Sequence, residues 1–296
     1  MARRPSPRPS YDKATPIRRA DATLHLWGDE EAGLVEDRIY VSSDSVHQLE
    51  LSLPPGGRFQ HSDQNRTIFA ADEVYHVLEG TLVIANPGTG EVEVAHAGES
   101  VFFRRDTWHH GFNYDATARL RVLELFAPPP SQGTSSGYAR TKENLTEWNY
   151  HDNDELTQWP MNEEQIKKNR SFRVIRDADL LWRLEDPAGE YLVGLLVSTE
   201  HLTVGKGVLL PGRRSPVERH DGDESVYVLE GRLNILLPDA TSAPIWFELG
   251  PGDGFYVPRG TAHQYHNVSQ GQARFLFATA PSYLPAGLHE REGGGR

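Results

Sequence analysis

Glu218-Arg219-His220-Asp221-Gly222-Asp223-Glu224 is the stretch whose reading decides the fold. Two carboxylates and an imidazole alternate along it. On an extended chain Glu218, His220 and Glu224 project to one side, because strand side chains repeat every second residue. Taken alone, such a run reads as a solvated strand edge. The next residues argue otherwise: Val226-Tyr227-Val228-Leu229-Glu230-Gly231 is an alternating strand closed by a glycine turn. A second short strand pair leads to Gly252-Asp-Gly-Phe-Tyr-Val-Pro258-Arg-Gly260-Thr-Ala-His263-Gln-Tyr-His-Asn267. If the first run faces inward, its two carboxylates repel, and burying them unpaired is costly. A divalent ion relieves both problems.

These residues resemble the two motifs of the cupin family. The first, G-x5-H-x-H-x3-E-x6-G, falls on Gly212, His220, Glu224 and Gly231, with Glu218 in place of the first histidine. The second, G-x5-P-x-G-x2-H-x3-N, is met by Gly252, Pro258, Gly260, His263 and Asn267. The resemblance implies a small β-barrel holding a divalent metal, with Glu218, His220, Glu224 and His263 as ligands. Two imidazoles and two carboxylates form a mixed N/O set that suits Fe(II) or Mn(II), with Ni, Co or Zn as further options. Two carboxylates also neutralise a divalent ion, which favours a higher oxidation state over simple hydrolytic zinc. His220, Glu224 and His263 alone make a two-histidine, one-carboxylate set, and Glu218 is then free to act as general base.

The pattern occurs twice. Glu73-Val-Tyr-His-Val-Leu-Glu-Gly80 repeats Glu224 to Gly231, and Gly98 through Asn113 repeats the second motif with His109 at its histidine. Trp27 matches Trp182, Val41-Ser-Ser matches Val197-Ser-Thr, and Gly57 matches Gly212. The chain therefore reads as an all-β internal duplication, two tandem jelly-roll barrels of the cupin kind joined by an irregular, partly helical linker. The expected divisions are a flexible basic arm at 1–19, a first barrel at 20–128, a linker at 129–172, a second barrel at 173–281 and a tail at 282–296. Trp148, Tyr150 and Trp159 suggest a linker that packs over a barrel mouth.

The first half departs from the motifs. Thr67 and Phe69 stand where the two histidines belong, and Arg104 and Asp106 replace the proline and glycine. His61, Glu73 and His109 remain as a degenerate first site, so about one metal per chain is expected.

Composition removes other classes. The net charge of −12 argues against nucleic acid, whose partners carry basic surfaces. The absence of cysteine excludes disulfides and thiolate chemistry. Long apolar runs are missing, so no membrane span is expected, and the arm lacks the hydrophobic stretch of an export signal. A cytoplasmic protein is expected. Its partner is expected to be a small organic molecule, with a homodimer as one assembly. Arg213, Arg214, Tyr227, Tyr256 and His266 are candidates for the pocket. Family members of this architecture imply a non-haem Fe(II) dioxygenase. A redox-neutral isomerase, lyase or aminohydrolase is the alternative, and a non-catalytic binding cupin a third.

Overall fold

The structure, a computed structural model, describes residues 6–60, 67–69, 71–87, 90–127, 139–141, 170–186, 188–281 and 283, with only the backbone at 67–69 and 139–141. Its regular elements are almost all strands. Among the described residues the only helix is a single 3-10 turn, Asp177–Asp179.

The two halves repeat one architecture. In the first, a seven-stranded sheet runs in the order Phe172–Ile175, Ser100–Phe103, Asp72–Glu79, Leu120–Ala127, His47–Leu53, Gly33–Ser42, Thr23–Asp29. In the second the order is Thr15–Ile17, Gly254–Val257, Asp223–Glu230, Ala273–Ala280, Thr203–Leu209, Tyr191–Ser198, Leu181–Leu184. A smaller sheet faces each one: Arg58–Phe59, His110–Asn113, Thr81–Asn86, Glu91–His96 in the first half, and Trp246–Leu249, Leu233–Leu236, Gln264–His266 in the second. Each half is thus a jelly roll of two facing sheets rather than one continuously bonded barrel.

The order contains an exchange that the expected boundaries lack. Thr15–Ile17 pairs with Gly254–Val257 of the second half, and Phe172–Ile175 pairs with Ser100–Phe103 of the first. The first strand of each repeat completes the other repeat's sheet. Residues 15–17, read as flexible arm, are therefore a paired strand, and Arg18 holds Asp253 at 2.6 Å. The physical reason is that an edge strand offers a row of unsatisfied backbone groups, and a short apolar segment that pairs with it is ordered even in a polar context. A sequence signal existed. Ile17-Arg-Arg-Ala-Asp21 is echoed by Ile175-Arg-Asp-Ala-Asp179. The expected linker helix and the aromatic residues Trp148, Tyr150 and Trp159 lie outside the described residues, as does the tail apart from Tyr283.

Three apolar clusters follow from strand alternation. One fills each jelly roll, built around Tyr75, Phe103 and Val122 in the first and Val226, Phe255 and Phe275 in the second. The third lies between the halves, where the outward residues Val41, Val74, Leu125, Val204, Tyr227 and Leu276 pack. Each fully buried side chain of this size contributes about 1.5–3 kcal/mol, which ties the two large sheets back to back. Gly205 and Gly207 make room in the second core. A Cβ on either would stand 2.3 Å from the ring of Phe277 or Phe275.

Candidate metal centre

The alternating strand expected over Glu218–Glu224 is shorter than the sequence suggested. Regular strand begins at Asp223, and Glu218 is placed instead by an isolated two-residue bridge to His263. Glu218 N donates to His263 O at 2.8 Å and His263 N returns the bond at 3.0 Å. Gly260 N donates to His220 O at 2.9 Å, in a turn where Gly260 holds φ at +74°, a conformation that glycine adopts without steric cost. Glu224 points inward from Asp223–Glu230 with Val226 and Val228.

Four side chains converge as a result. His220 Nε2 lies 3.0 Å from Glu224 Oε2 and 3.9 Å from Glu218 Oε2. His263 Nε2 lies 3.4 Å from Glu224 Oε2 and 3.7 Å from Glu218 Oε2. Yet His220 Nε2, His263 Nε2 and Glu224 Oε2 are buried and have no hydrogen-bond partner beyond one another. Their other atoms are all engaged. His220 Nδ1 donates to Tyr283 O at 2.6 Å, His263 Nδ1 donates to Thr261 O at 3.1 Å, and the Tyr265 hydroxyl donates to Glu224 Oε1. A carbonyl on Nδ1 fixes the proton there and turns the Nε2 lone pair into the chamber, the arrangement that metal-ligating histidines use. Ligand atoms of Glu218, His220 and His263 fall within 4.8 Å of one another, and Glu224 Oε2 lies nearer still to both imidazoles. Three orphaned lone pairs aimed at one point fit a divalent cation.

Electrostatics agree. Burial disfavours charge on His220, but Glu224 and Glu218 outweigh it and raise the imidazole to about 9. His263 moves the same way for the same reason. Burial would lift Glu224, yet the two imidazoles, His220 first, hold it well below the usual carboxylate range. Glu218 differs. Burial, with the charge of Glu224 beside it, lifts it to about 7 against the pull of the histidines.

The chamber has walls that sequence reading missed. Tyr283 stacks on His220 with centroids 4.5 Å apart and leans on Phe277 at 5.4 Å. Tyr191 is fully buried with its hydroxyl unpartnered, 6.1 Å from the Tyr265 ring. Thr279, directly across the sheet from Glu224, also leaves its hydroxyl unpartnered. Tyr265 was legible, since it lies two residues after His263 and so shares its face. Tyr283 carried no such signal.

Five expected pocket residues are placed elsewhere. Tyr227 and Tyr256 sit one step out of phase with the inward residues and face the first half. Tyr227 donates to Glu50 Oε2 at 3.2 Å, and Tyr256 packs on Tyr11. Arg213 is exposed and pairs with Glu190 at 2.8 Å, and Arg214 is exposed beside His266. His266 lies on the opposite face of its strand from Tyr265, against Trp246.

In the first half, His61 lies outside the described residues. Glu73 faces inward as Glu224 does, but His109 Nε2 accepts the Tyr75 hydroxyl at 3.1 Å and is ringed by Phe103 and Phe59. No second metal group forms there among the described residues.

Residues 49–126 and 206–279, together just over half of the chain, each match the cupin domain family. The putative glyoxylate-induced protein of Pseudomonas aeruginosa is similar in structure at a TM-score of 0.63 and 16% identity, over 97% of this chain and 96% of that one. A point mutant of Bacillus subtilis oxalate decarboxylase is similar at 0.60 and 13%, over 92% and 78%. The Lactobacillus farciminis oxalate decarboxylase in its formate complex is similar at 0.59 and 15%, over 98% and 93%. At these identities the likeness is one of fold. Among curated proteins, a Streptomyces cyaneus protein named polyketide synthase CurC is 33% identical over 79 residues, 26% of this chain and 48% of that protein. A Myxococcus xanthus protein named endoribonuclease YbeY is 29% identical over 100 residues, 34% of this chain and 32% of that protein. The chain thus spans half or less of these curated relatives. Among the described residues no helix is long and apolar enough to cross a membrane.

Proposed function

The chain belongs to the cupin family and carries its domain twice, and from that premise we propose a metal-dependent enzyme acting on a small organic molecule in the second half, of the non-haem iron dioxygenase type. One observation carries the reading: the three buried, unpartnered lone pairs of His220, His263 and Glu224, each oriented by a hydrogen bond to the other polar atom of its side chain. They form the two-histidine, one-carboxylate set of that enzyme class. A divalent metal bound there supplies a Lewis acid and, as iron, redox chemistry with dioxygen. Glu218 stands at the longer distances, and its proton affinity lies close to neutral pH, so it takes or gives a proton at its carboxylate. Tyr283 and Phe277 exclude water over His220, and the Tyr191 and Thr279 hydroxyls offer hydrogen bonds to a bound molecule.

A second reading, a redox-neutral isomerase, lyase or aminohydrolase using Mn(II), is favoured by Glu218 at about 7, since proton transfer alone is then well served. The oxalate decarboxylases share the fold. Here, among the described residues, the site's carboxylates form ion pairs with imidazoles and none with lysine or arginine.

The test is anaerobic purification with metal analysis, then oxygen-electrode assays with enols, catechols and diketones. Substrate-dependent oxygen uptake that His263→Ala abolishes supports the first reading. Turnover without oxygen consumption supports the second. Protein that takes up no Fe(II) or Mn(II) overturns both.

A further inference from the structure

The interior of the first half has a different chemistry. Strand alternation turns Asp37, Glu73 and Glu124 into its interior, in step with the core residues Val35 and Ile39, Tyr75 and Val77, and Val122. Glu124 stands directly across from Tyr75, and Glu73 directly across from Phe126. The three acids are 7%, 2% and 7% exposed, in the order Asp37, Glu73, Glu124. The charges that act on them are one another and Asp72, with no lysine, arginine or histidine among the described residues to balance them. In the second half the position of Glu124 is taken by Phe277, which stands across from Val226 as Glu124 does from Tyr75. Glu73 keeps an acidic counterpart there in Glu224, whereas Glu124 does not.

A further observation points to an occupant. Glu73 Oε2 is buried and has no hydrogen-bond partner, and neither has Nδ1 of the buried His47, whose ring stacks at 4.3 Å on Phe126. A native interior leaves few such atoms orphaned, because each has given up its hydrogen bonds to water without replacing them. The walls are aromatic. Tyr75 meets Phe103 at 5.2 Å, and His109 meets Phe103 at 4.6 Å and Phe59 at 5.9 Å.

A compact metal ion does not suit this arrangement. Among the described residues no group of three metal-donor side chains is found in this interior, and His109 Nε2 already accepts the Tyr75 hydroxyl. Dispersed carboxylates among ring faces suit a larger cation that carries several N–H donors and spreads its charge over an apolar body.

We propose that the first half binds a small organic cation, an amine or guanidine in its protonated form, through Asp37, Glu73 and Glu124 within the Tyr75, Phe103 and His109 wall. The site is separate from the metal centre and stands whether or not that reading holds. Burial and mutual repulsion, which push Glu124 up to about 8 and raise Asp37 and Glu73 as well, are what such a cation relieves.

The test uses the full chain, loaded with Mn(II), and measures thermal shift and titration calorimetry with methylguanidinium and n-propylammonium. Urea and propionate serve as neutral and anionic controls. Either cation should raise the melting temperature of the wild type, and equally that of His263→Ala, whose metal centre is disabled. In Glu124→Gln, and in the Glu73→Gln, Glu124→Gln double variant, affinity should fall at least about tenfold. The readout is the ligand-dependent shift, so it holds even if the variants are intrinsically more or less stable. The proposal fails if neither cation shifts the wild type, if urea or propionate acts as strongly, or if the double variant responds unchanged. It also fails if His263→Ala abolishes the response, or if a second equivalent of Mn(II) binds and is lost in the double variant.

Discussion

Arg19 and Glu50 form a two-point ion pair across the halves, Nε to Oε2 at 3.1 Å and Nη2 to Oε1 at 2.6 Å. Arg19 comes just after the strand that completes the second sheet, whereas Glu50 belongs to the first. Arg121 closes on the same carboxylate at 2.9 and 3.1 Å, and Tyr227 donates to it at 3.2 Å. The equivalent place in the other repeat holds Lys206 against Asp177, which Arg274 also binds. The duplication has kept the position and inverted the central charge.

Glu50→Gln should therefore destabilise the protein by about 1–3 kcal/mol, less than a wholly buried pair because both arginines keep contact with water. Against the upward push of burial, the two arginines hold Glu50 at about 2, below its ordinary 4.5. Its contribution is then complete above pH 4.5 and is lost as pH falls through about 2. Urea melts of wild type and variant should differ at about pH 7 and converge toward about pH 2. A difference that does not change with pH would show that the ion pair is not what stabilises.

Metal content should be about one equivalent per chain by elemental analysis. His263→Ala and His220→Ala should each lower it sharply while leaving the β-sheet circular dichroism intact, since the apolar core does not depend on the ion. Two equivalents would mean that the first half also holds metal.

Glu218 and Glu224 should part company. Glu224→Gln removes a ligand anchored by Tyr265 and should weaken metal binding about 10-fold or more. Glu218→Gln should keep the metal and lose most of the turnover. Equal loss of metal in both variants would make Glu218 a ligand of the same rank.

Metal affinity should rise with pH. His220 is raised to about 9 and His263 is raised too, so at neutral pH the metal-free site holds protons that binding must displace. Calorimetric titration of Mn(II) at about pH 7 in buffers of different ionisation enthalpy should register proton release. Weaker binding at about pH 8 than at about pH 6 would contradict the assignment.

Removing residues 1–19 should destabilise the second sheet, because Gly254–Val257 then becomes an unpaired edge. Hydrogen exchange across Phe255 and Val257 should accelerate in the truncated chain more than at Phe103. Unchanged protection would show that the strand exchange adds no stability.

The sequence by itself determined the all-β class, the duplication and the four residues that converge at the candidate metal centre. Spaced glycines, a proline and short-range alternation are local properties, and each constrains the backbone within a few residues. Alternation from Glu224 also contained the outward direction of Tyr227, had it been carried a step further. What only the tertiary structure decided is long-range. Tyr283 covers His220 from 63 residues away. Thr15–Ile17 crosses to the other repeat's sheet, and the three carboxylates of the first half come to face one interior only when its strands pair. No period in the chain encodes such pairings. They depend on which unsatisfied edge or lone pair the folded sheets leave within reach, a quantity that exists only once both halves have packed.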